Sequence, residues 1–267
     1  MAGTRDGRVL TDQHRRLQVR LAVKSDSQIR RAMMLLDPSD IDGTRALWLQ
    51  RMTQIVQKNH GLSERAAVDY LAKYRLAEIG TVDGVIVRPG LDVAATQGVL
   101  DAAGPQGFKK RIREGTPQLV AFKKASDEIA AEARKAIMSG GRGAIRATGA
   151  QDVRAIGWRR VTGPDPCTFC AMLASRGPAY TSEAKALADG NGDPYHGNCH
   201  CTVEIGYSDW VPTRQEEQFI DAYHEAAEAA EEDGQTRTAQ SVLWRMREKG
   251  SFRDSQRRRR MSNDIDI

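Results

Sequence analysis

The chain has 267 residues, of which 40% are apolar and only 6% aromatic, and its formal net charge is +5. This length allows one large domain or two small ones, and the shortage of aromatic residues favours a helical core over a sheet-based one. So small a net charge argues against a protein dedicated to wrapping DNA. No apolar run approaches the ~18 residues that a membrane span requires, so we expect no membrane partner.

The first part of the chain, residues 1–140, predicts a helical domain. The polar residues 1–11 are expected to form a loose arm. Apolar spacing and capping residues predict helices over residues 11–36, 38–59, 63–79, 91–103 and 116–138. Glycine and proline predict a break at Gly61, a hinge at 104–107 and a domain boundary at 139–143.

The second part, residues 141–210, predicts a small α+β module with strands near 156–161 and 201–207. The third part, residues 211–267, predicts a helical extension with helices over 213–232 and 237–249. The polar tail from Ser251 is expected to be mobile. The whole chain is therefore expected to be mainly α, with one zinc-stabilised α+β module.

All four cysteines lie in the second part, as Cys167-x-x-Cys170 and Cys199-x-Cys201. The first pair places two thiolates on one tight turn, and the second puts both sulfurs on one face of an extended strand. Two short clusters of sulfur ligands are typical of a tetrahedral zinc site, and a site closed by four protein ligands is structural. His196 lies three residues before Cys199, so His196, Cys199 and Cys201 compete for two positions. Two ligand sets therefore stay open: four cysteines, or three cysteines with His196.

Two alternatives to a metal site also stay open. The cysteines could stay reduced and unliganded, or they could form disulfides. The N-terminus lacks the apolar core of a signal peptide, which predicts a protein made and kept in a cytoplasm. Clustered cysteines in that compartment bind metal more often than they form disulfides, so we expect structural zinc.

The residues around the cysteines resemble a known family. The segments 157–159 (GWR), 165–170 (DPCTFC) and 196–201 (HGNCHC) resemble the MuF-like head morphogenesis family of tailed-phage minor head proteins. In that family a Cys-x-x-Cys segment precedes a His-Pro-Asn-Cys-Arg-Cys type motif. Gly197 stands in place of that proline and His200 in place of that arginine. The resemblance covers residues 150–210, about a quarter of the chain.

This resemblance implies a minor structural protein of a phage head. It implies assembly in the host cytoplasm, a place inside the head near the portal, and the portal protein and major capsid protein as partners. Similar actinobacteriophage proteins are often labelled capsid maturation proteases, which makes a protease acting on capsid or scaffold proteins the alternative function.

The residues themselves predict no specific catalytic site. Candidate groups for a protease are Ser175, Ser182, Asp193, His196 and His200. Neither a Gly-x-Ser-x-Gly nor a His-Glu-x-x-His motif is present, so the catalytic residues of a protease stay unknown. A metal-assisted nuclease, with His200, Asn191 and Asp193 as candidates, is a further alternative.

Charge is uneven near the end of the chain. An acidic run covers residues 215–233, and we expect it to be solvated or to meet a basic portal surface. Consecutive arginines follow, and they could bind packaged DNA by counterion release or form a solvated tail. They are Arg257, Arg258, Arg259 and Arg260.

Several other residues are expected to have structural roles. The tryptophans are predicted to anchor cores or interfaces. Arg159 and Arg160 are predicted to lie at the rim of the zinc module. His14, His60 and His224 are expected on helix surfaces.

Overall fold

Long helices form most of the molecule in the computed structural model, which describes residues 3–178, 195 and 199–256. In chain order the helices are α1 (Arg5–Met33), α2 (Ile41–Ile79), α3 (Val93–Asp101), α4 (Gly107–Arg113), α5 (Gln118–Gln151), α6 (Thr168–Ala174), α7 (Arg214–Glu232) and α8 (Ala239–Lys249). The strands are β1 (Gly157–Val161) and β2 (Thr202–Gly206). The predicted mainly helical fold with a short sheet is confirmed. No helix in the described ranges has the length and apolar character to cross a membrane.

Helix α1 begins earlier than its apolar pattern predicts. The Thr4 hydroxyl accepts a hydrogen bond from the Gly7 N–H and so caps the helix. The same hydroxyl donates to the Glu78 carboxylate at 2.6 Å, which fixes this end of α1 against the end of α2. The expected loose arm over residues 1–11 is therefore wrong from Arg5 onward.

Helix α2 runs for 39 residues without the predicted break at Gly61. Ser63, expected to start a new helix, is instead buried inside this one. Its hydroxyl donates to the Gln18 side chain at 2.5 Å and accepts from the Gly141 N–H at 2.9 Å. Ser63 thus links α1, α2 and α5.

Helix α5 runs for 34 residues through the glycine-rich segment that was predicted to be a break. A Cβ at Gly140 would lie 2.4 Å from the His60 carbonyl oxygen, and one at Gly141 would lie 2.6 Å from the Gln18 amide nitrogen. The glycines therefore permit close helix packing, and the break is wrong. The boundary drawn at residue 140 falls inside α5, and the division into domains 1–140, 141–210 and 211–267 stays a prediction.

The expected hinge at 104–107 is also wrong. A π-helical turn, Ala102–Gln106, joins α3 directly to α4. Gly104 is buried, and a Cβ there would lie 2.9 Å from both Trp48 and Ile129. The segment is fixed because it packs on the bundle core.

The main apolar core lies between α1, α2 and α5. Its largest buried side chains include Ile29, Trp48, Met52 and Ile129. Trp48 is fully buried, as predicted. His14 and His60 are each 4% exposed, so their expected place on the surface is wrong.

The two strands pair antiparallel, with Gly157 opposite Gly206 and Val161 opposite Thr202. The predicted strands are confirmed. Val203 and Ile205 of β2 pack against α2 and α5. The sheet therefore lies on the bundle, and it carries the second cysteine pair to α5.

A smaller second core contains the four cysteines, α6 and one side of α7 and α8. Phe252 belongs to this core, and Ser255 is fully buried. The mobile tail expected from Ser251 is therefore wrong for residues 251–256. Arg257–Arg260 lie outside the described residues.

Candidate metal centre

Three cysteine sulfurs form a cluster in the second core. The Sγ atoms of Cys170, Cys199 and Cys201 all lie within 4.8 Å of one another, and all three residues are buried. No disulfide joins the four cysteines, which are Cys167, Cys170, Cys199 and Cys201. These three cysteines are positioned to bind a metal ion.

Local backbone structure explains how the sulfurs meet. Cys167 has extended backbone angles at the N-cap of α6, and Cys170 lies one turn into that helix. Cys199 and Cys201 lie in the extended segment that leads into β2. Because side chains alternate along extended chain, both of these sulfurs face the start of α6.

The spacing of the sulfurs fits a tetrahedral ion. The Sγ atoms of Cys170 and Cys199 are 3.6 Å apart. Ligands at about 2.3 Å from a tetrahedral zinc are separated by about 3.8 Å. The observed separation is therefore close to that of two zinc ligands.

Cys167, the fourth predicted sulfur ligand, lies at the edge of this cluster. Its side chain is buried and hydrogen-bonds Cys170, although its sulfur is not within 4.8 Å of all three others. His196, the competing fourth ligand, lies outside the described residues. The choice between the two predicted ligand sets remains a prediction.

Two buried arginines and one tyrosine surround the cluster. Arg142 of α5 donates to the Cys199 carbonyl oxygen at 2.6 Å and to the Cys201 carbonyl oxygen at 2.8 Å. The Tyr195 ring lies between two guanidinium groups, 3.7 Å from Arg142 and 4.0 Å from Arg160. Both arginines place positive charge beside the sulfurs, which favours thiolates and hence metal binding.

The three cysteines of the cluster shift one another's pKa in different directions. Hydrogen bonds from Cys170 and Cys201 lower the pKa of Cys199. A hydrogen bond with Cys167 is the largest of the effects that raise the pKa of Cys170. The hydrogen bond with Cys170 lowers the pKa of Cys201, but Cys199 and burial outweigh it and raise that pKa to about 12. Cys199 is therefore the cysteine of this cluster whose thiolate is most favoured, and a bound cation would stabilise several thiolates together.

The end of the described chain closes over the first cysteine pair. The Asp254 carboxylate accepts hydrogen bonds from the Thr168 N–H at 2.7 Å and from the Thr168 hydroxyl at 2.8 Å. The Arg253 N–H donates to the Pro166 carbonyl oxygen at 3.2 Å. These contacts fix the turn that carries Cys167 and Cys170.

Arg159 and Arg160 are buried, so their expected place at the rim of the module is wrong. Arg159 pairs with Glu204 at 2.6 Å and with Glu216 at 2.5 Å. Glu204 also accepts a hydrogen bond from Thr11 at 2.5 Å. This ion network connects both strands to α1 and α7.

The candidate residues for a protease or nuclease are not brought together among the described residues. Ser175 is buried at the end of α6, and its hydroxyl donates to the Met172 carbonyl oxygen at 2.8 Å. His200 is exposed, and partial desolvation of its imidazole lowers its pKa. Ser182, Asn191 and Asp193 lie outside the described residues.

Comparison with known proteins identifies the family to which this chain belongs. Residues 7–226, most of the chain, match the family described as VG15 protein, which is a family of phage proteins. The chain therefore belongs to the VG15 family. No curated protein and no solved structure matches it. The match agrees with the phage origin implied by the cysteine motifs. It does not confirm that the chain belongs to the MuF-like family.

Proposed function

We propose that this chain is a minor structural protein of a tailed-phage head that acts in head assembly. The observation that carries the proposal is the cysteine cluster, because its three residues are at most 4% exposed and belong to a core of apolar side chains. In this proposal a fourth protein ligand closes the centre, so that it stabilises the fold and takes no substrate. Membership of a phage family supplies the biological setting.

The metal in this proposal is zinc, held by Cys170, Cys199, Cys201 and one further ligand. Sulfur ligands at tetrahedral spacing suit zinc, and the metal would add folding free energy to a module built of short elements. The fourth ligand is Cys167 or His196. Elemental analysis of the purified chain should give one zinc per chain. Stoichiometric zinc in Cys167→Ser together with loss of zinc in His196→Ala would select the histidine, and the reverse result would select the cysteine.

The partners in this proposal are the portal protein and the major capsid protein, and the place of action is the inside of the head. The test is to purify virions and to ask by mass spectrometry whether the chain is present together with both proteins. Co-purification with the portal protein would support the assembly role. A chain that is absent from virions and from all assembly intermediates would overturn it.

A second experiment separates assembly from proteolysis. In it the chain is co-expressed with the major capsid protein, and the length of the capsid subunits is followed. Intact subunits are expected. Cleavage that requires this chain and is abolished by one point substitution would establish the capsid maturation protease instead.

The basic segment Arg257–Arg260 is proposed to contact packaged DNA. Four adjacent guanidinium groups would bind phosphates without sequence preference. Removal of residues 257–267 should weaken salt-sensitive DNA binding, and unchanged binding would assign these arginines to a solvated tail.

A further inference from the structure

The outer surface of α1 and α2 forms a groove with an unusual charge pattern. The two helices are antiparallel, and two clefts lie along the groove between them, one near His14 and Ala66 and one near Ala32 and Ile55. Basic side chains line both clefts: Arg20, Arg31, Arg51, Lys58, Arg65 and Lys73. Asp69 is the one carboxylate among the lining residues. We call this surface the α1–α2 groove.

The cations of the α1–α2 groove are free of ion pairs, in contrast to many cations elsewhere. All six are exposed, and within the described ranges none of them lies in an ion pair with a carboxylate. Outside the groove, Arg45 pairs with Asp101 at 2.6 Å and Lys109 with Asp42 at 2.7 Å. Unpaired cations concentrated on one surface repel one another, so a polyanion bound there would relieve a repulsion that the fold leaves uncompensated.

The spacing of these cations follows the helix repeat. Arg51, Lys58 and Arg65 recur every seven residues, so they stand on one face of α2 about 10.5 Å apart. From Arg51 to Lys73 the row extends about 33 Å. At about 3.4 Å per base pair this is the length of one turn of B-form DNA.

The chemistry of the groove favours nucleic acid over a protein partner. Protein interfaces depend on aromatic anchors that the partner buries. The aromatic residues of this groove, His14 and Tyr70, are already buried between the helices. What remains exposed is mostly arginine and lysine, which suits contacts with a phosphate backbone.

We propose that the α1–α2 groove binds the phosphate backbone of double-stranded DNA without sequence preference. The site is separate from Arg257–Arg260 and from the cysteine cluster. The proposal does not depend on a role in head assembly, because it rests only on the placement of charge on α1 and α2.

The test measures binding of the full chain to a fluorescein-labelled 20-base-pair duplex by fluorescence anisotropy over a range of salt concentrations. The groove variant is Arg51→Gln/Lys58→Gln/Arg65→Gln. The matched control, Lys109→Gln/Lys110→Gln/Lys123→Gln, removes the same charge from exposed lysines that each lie within 4 Å of a carboxylate. Circular dichroism verifies that both variants fold.

We expect the groove variant to bind at least about tenfold more weakly at low salt, and the slope of log K against log salt to fall by about 2.7, since each lost phosphate contact changes it by about 0.9. The control should bind within about threefold of the unmodified chain, because its cations are already partly neutralised by carboxylates.

Three results would overturn the proposal. Equal losses in both triple variants would show that net charge alone matters. Full binding by the groove variant, with binding lost only when residues 257–267 are removed, would assign DNA binding to the tail. A peptide of residues 214–232 that binds the unmodified chain more tightly than the duplex does, and that loses this binding in the groove variant, would identify the groove as a protein-docking surface.

Discussion

The bundle of α1, α2 and α5 and the module around the cysteines are stabilised by different physical means. The bundle buries apolar side chains along helices of 29, 39 and 34 residues, and its glycines allow the helices to approach closely. The module has two five-residue strands and a seven-residue helix, α6, beside its sulfur cluster. Long amphipathic helices can bury enough surface to be stable by packing alone, whereas such short elements require an additional constraint.

Because of this difference, we expect different perturbations to destabilise the bundle and the module. Steric changes should act on the bundle, and changes of metal, sulfur or local charge should act on the module. The following predictions test this separation.

The largest effect is expected from loss of the metal centre. Cys170→Ser should abolish metal binding and remove a stabilising free energy on the order of 10 kcal/mol from the module. Hydrogen exchange measured by mass spectrometry should then show loss of protection at residues 157–178 and 199–206, with protection kept around Trp48 and Ile129. Chelator treatment of the unmodified chain is the matched control. A variant that keeps full zinc and full protection would refute the structural role of the sulfur.

A matched pair of glycine substitutions tests the packing of the bundle. Gly140→Ala places a methyl group 2.4 Å from the His60 carbonyl oxygen, so α2 and α5 must separate, at a cost of about 2–3 kcal/mol. Gly61→Ala meets no atom within 4 Å and should stabilise the chain by about 0.5–1 kcal/mol through helix propensity. Urea unfolding followed by circular dichroism measures both. Equal effects would mean that close approach does not explain the glycines of α5.

The bundle should also lose stability in mild acid because of His14. Burial lowers the pKa of His14 to about 4. The folded state therefore favours the neutral imidazole, and its contribution is complete above the unfolded pKa of 6.5 and is lost as the pH falls toward 4. Between pH 7 and pH 5 the free energy of unfolding should fall by about 2 kcal/mol from this group. His14→Phe, which keeps a ring beside Tyr70, should remove that part of the pH dependence, and an unchanged pH profile would contradict the assignment.

The smallest effect concerns the segment that closes the cysteine turn. Asp254→Ala removes the acceptor for the Thr168 N–H and hydroxyl, which should cost about 1 kcal/mol and increase exchange at the start of α6. Burial opposes the charge of Asp254, but the hydrogen bonds from Thr168 outweigh it and lower the pKa. Its contribution is therefore present above the unfolded pKa and disappears as the pH falls through the lower folded value. Equal zinc loss rates in Asp254→Ala and the unmodified chain would show that this segment does not secure the site.

Short-range patterns predicted the elements whose signals are local. The strands around Arg160 and Val203, the helices after Thr213 and Thr238, and the grouping of three cysteines follow from alternation, capping and ligand spacing. These features depend on residues close in sequence, so the sequence alone predicts them.

Features that depend on distant partners were predicted wrongly or missed. Gly140 and Gly141 were interpreted as a break because glycine is unfavourable in an isolated helix, whereas here the neighbours on α1 and α2 require it. Arg142 was missed for the same reason, since it belongs to that segment and its partners, Cys199 and Cys201, lie over 50 residues away. Phe252 and Asp254 were assigned to a mobile tail because their contacts with α6 and α7 have no signal in the local sequence.

The continuity of α5 makes one rigid rod common to both regions. At about 1.5 Å per residue its 34 residues extend about 51 Å, and the roughly 30 Å from Ile129 to Gly149 lead from the bundle core to Trp158 of the sheet. Arg142, on the same helix, donates hydrogen bonds to the carbonyl oxygens of Cys199 and Cys201. A displacement of the bundle end of α5 would therefore also displace Arg142 and the segment that carries Cys199 and Cys201, so the bundle and the cysteine cluster are mechanically coupled.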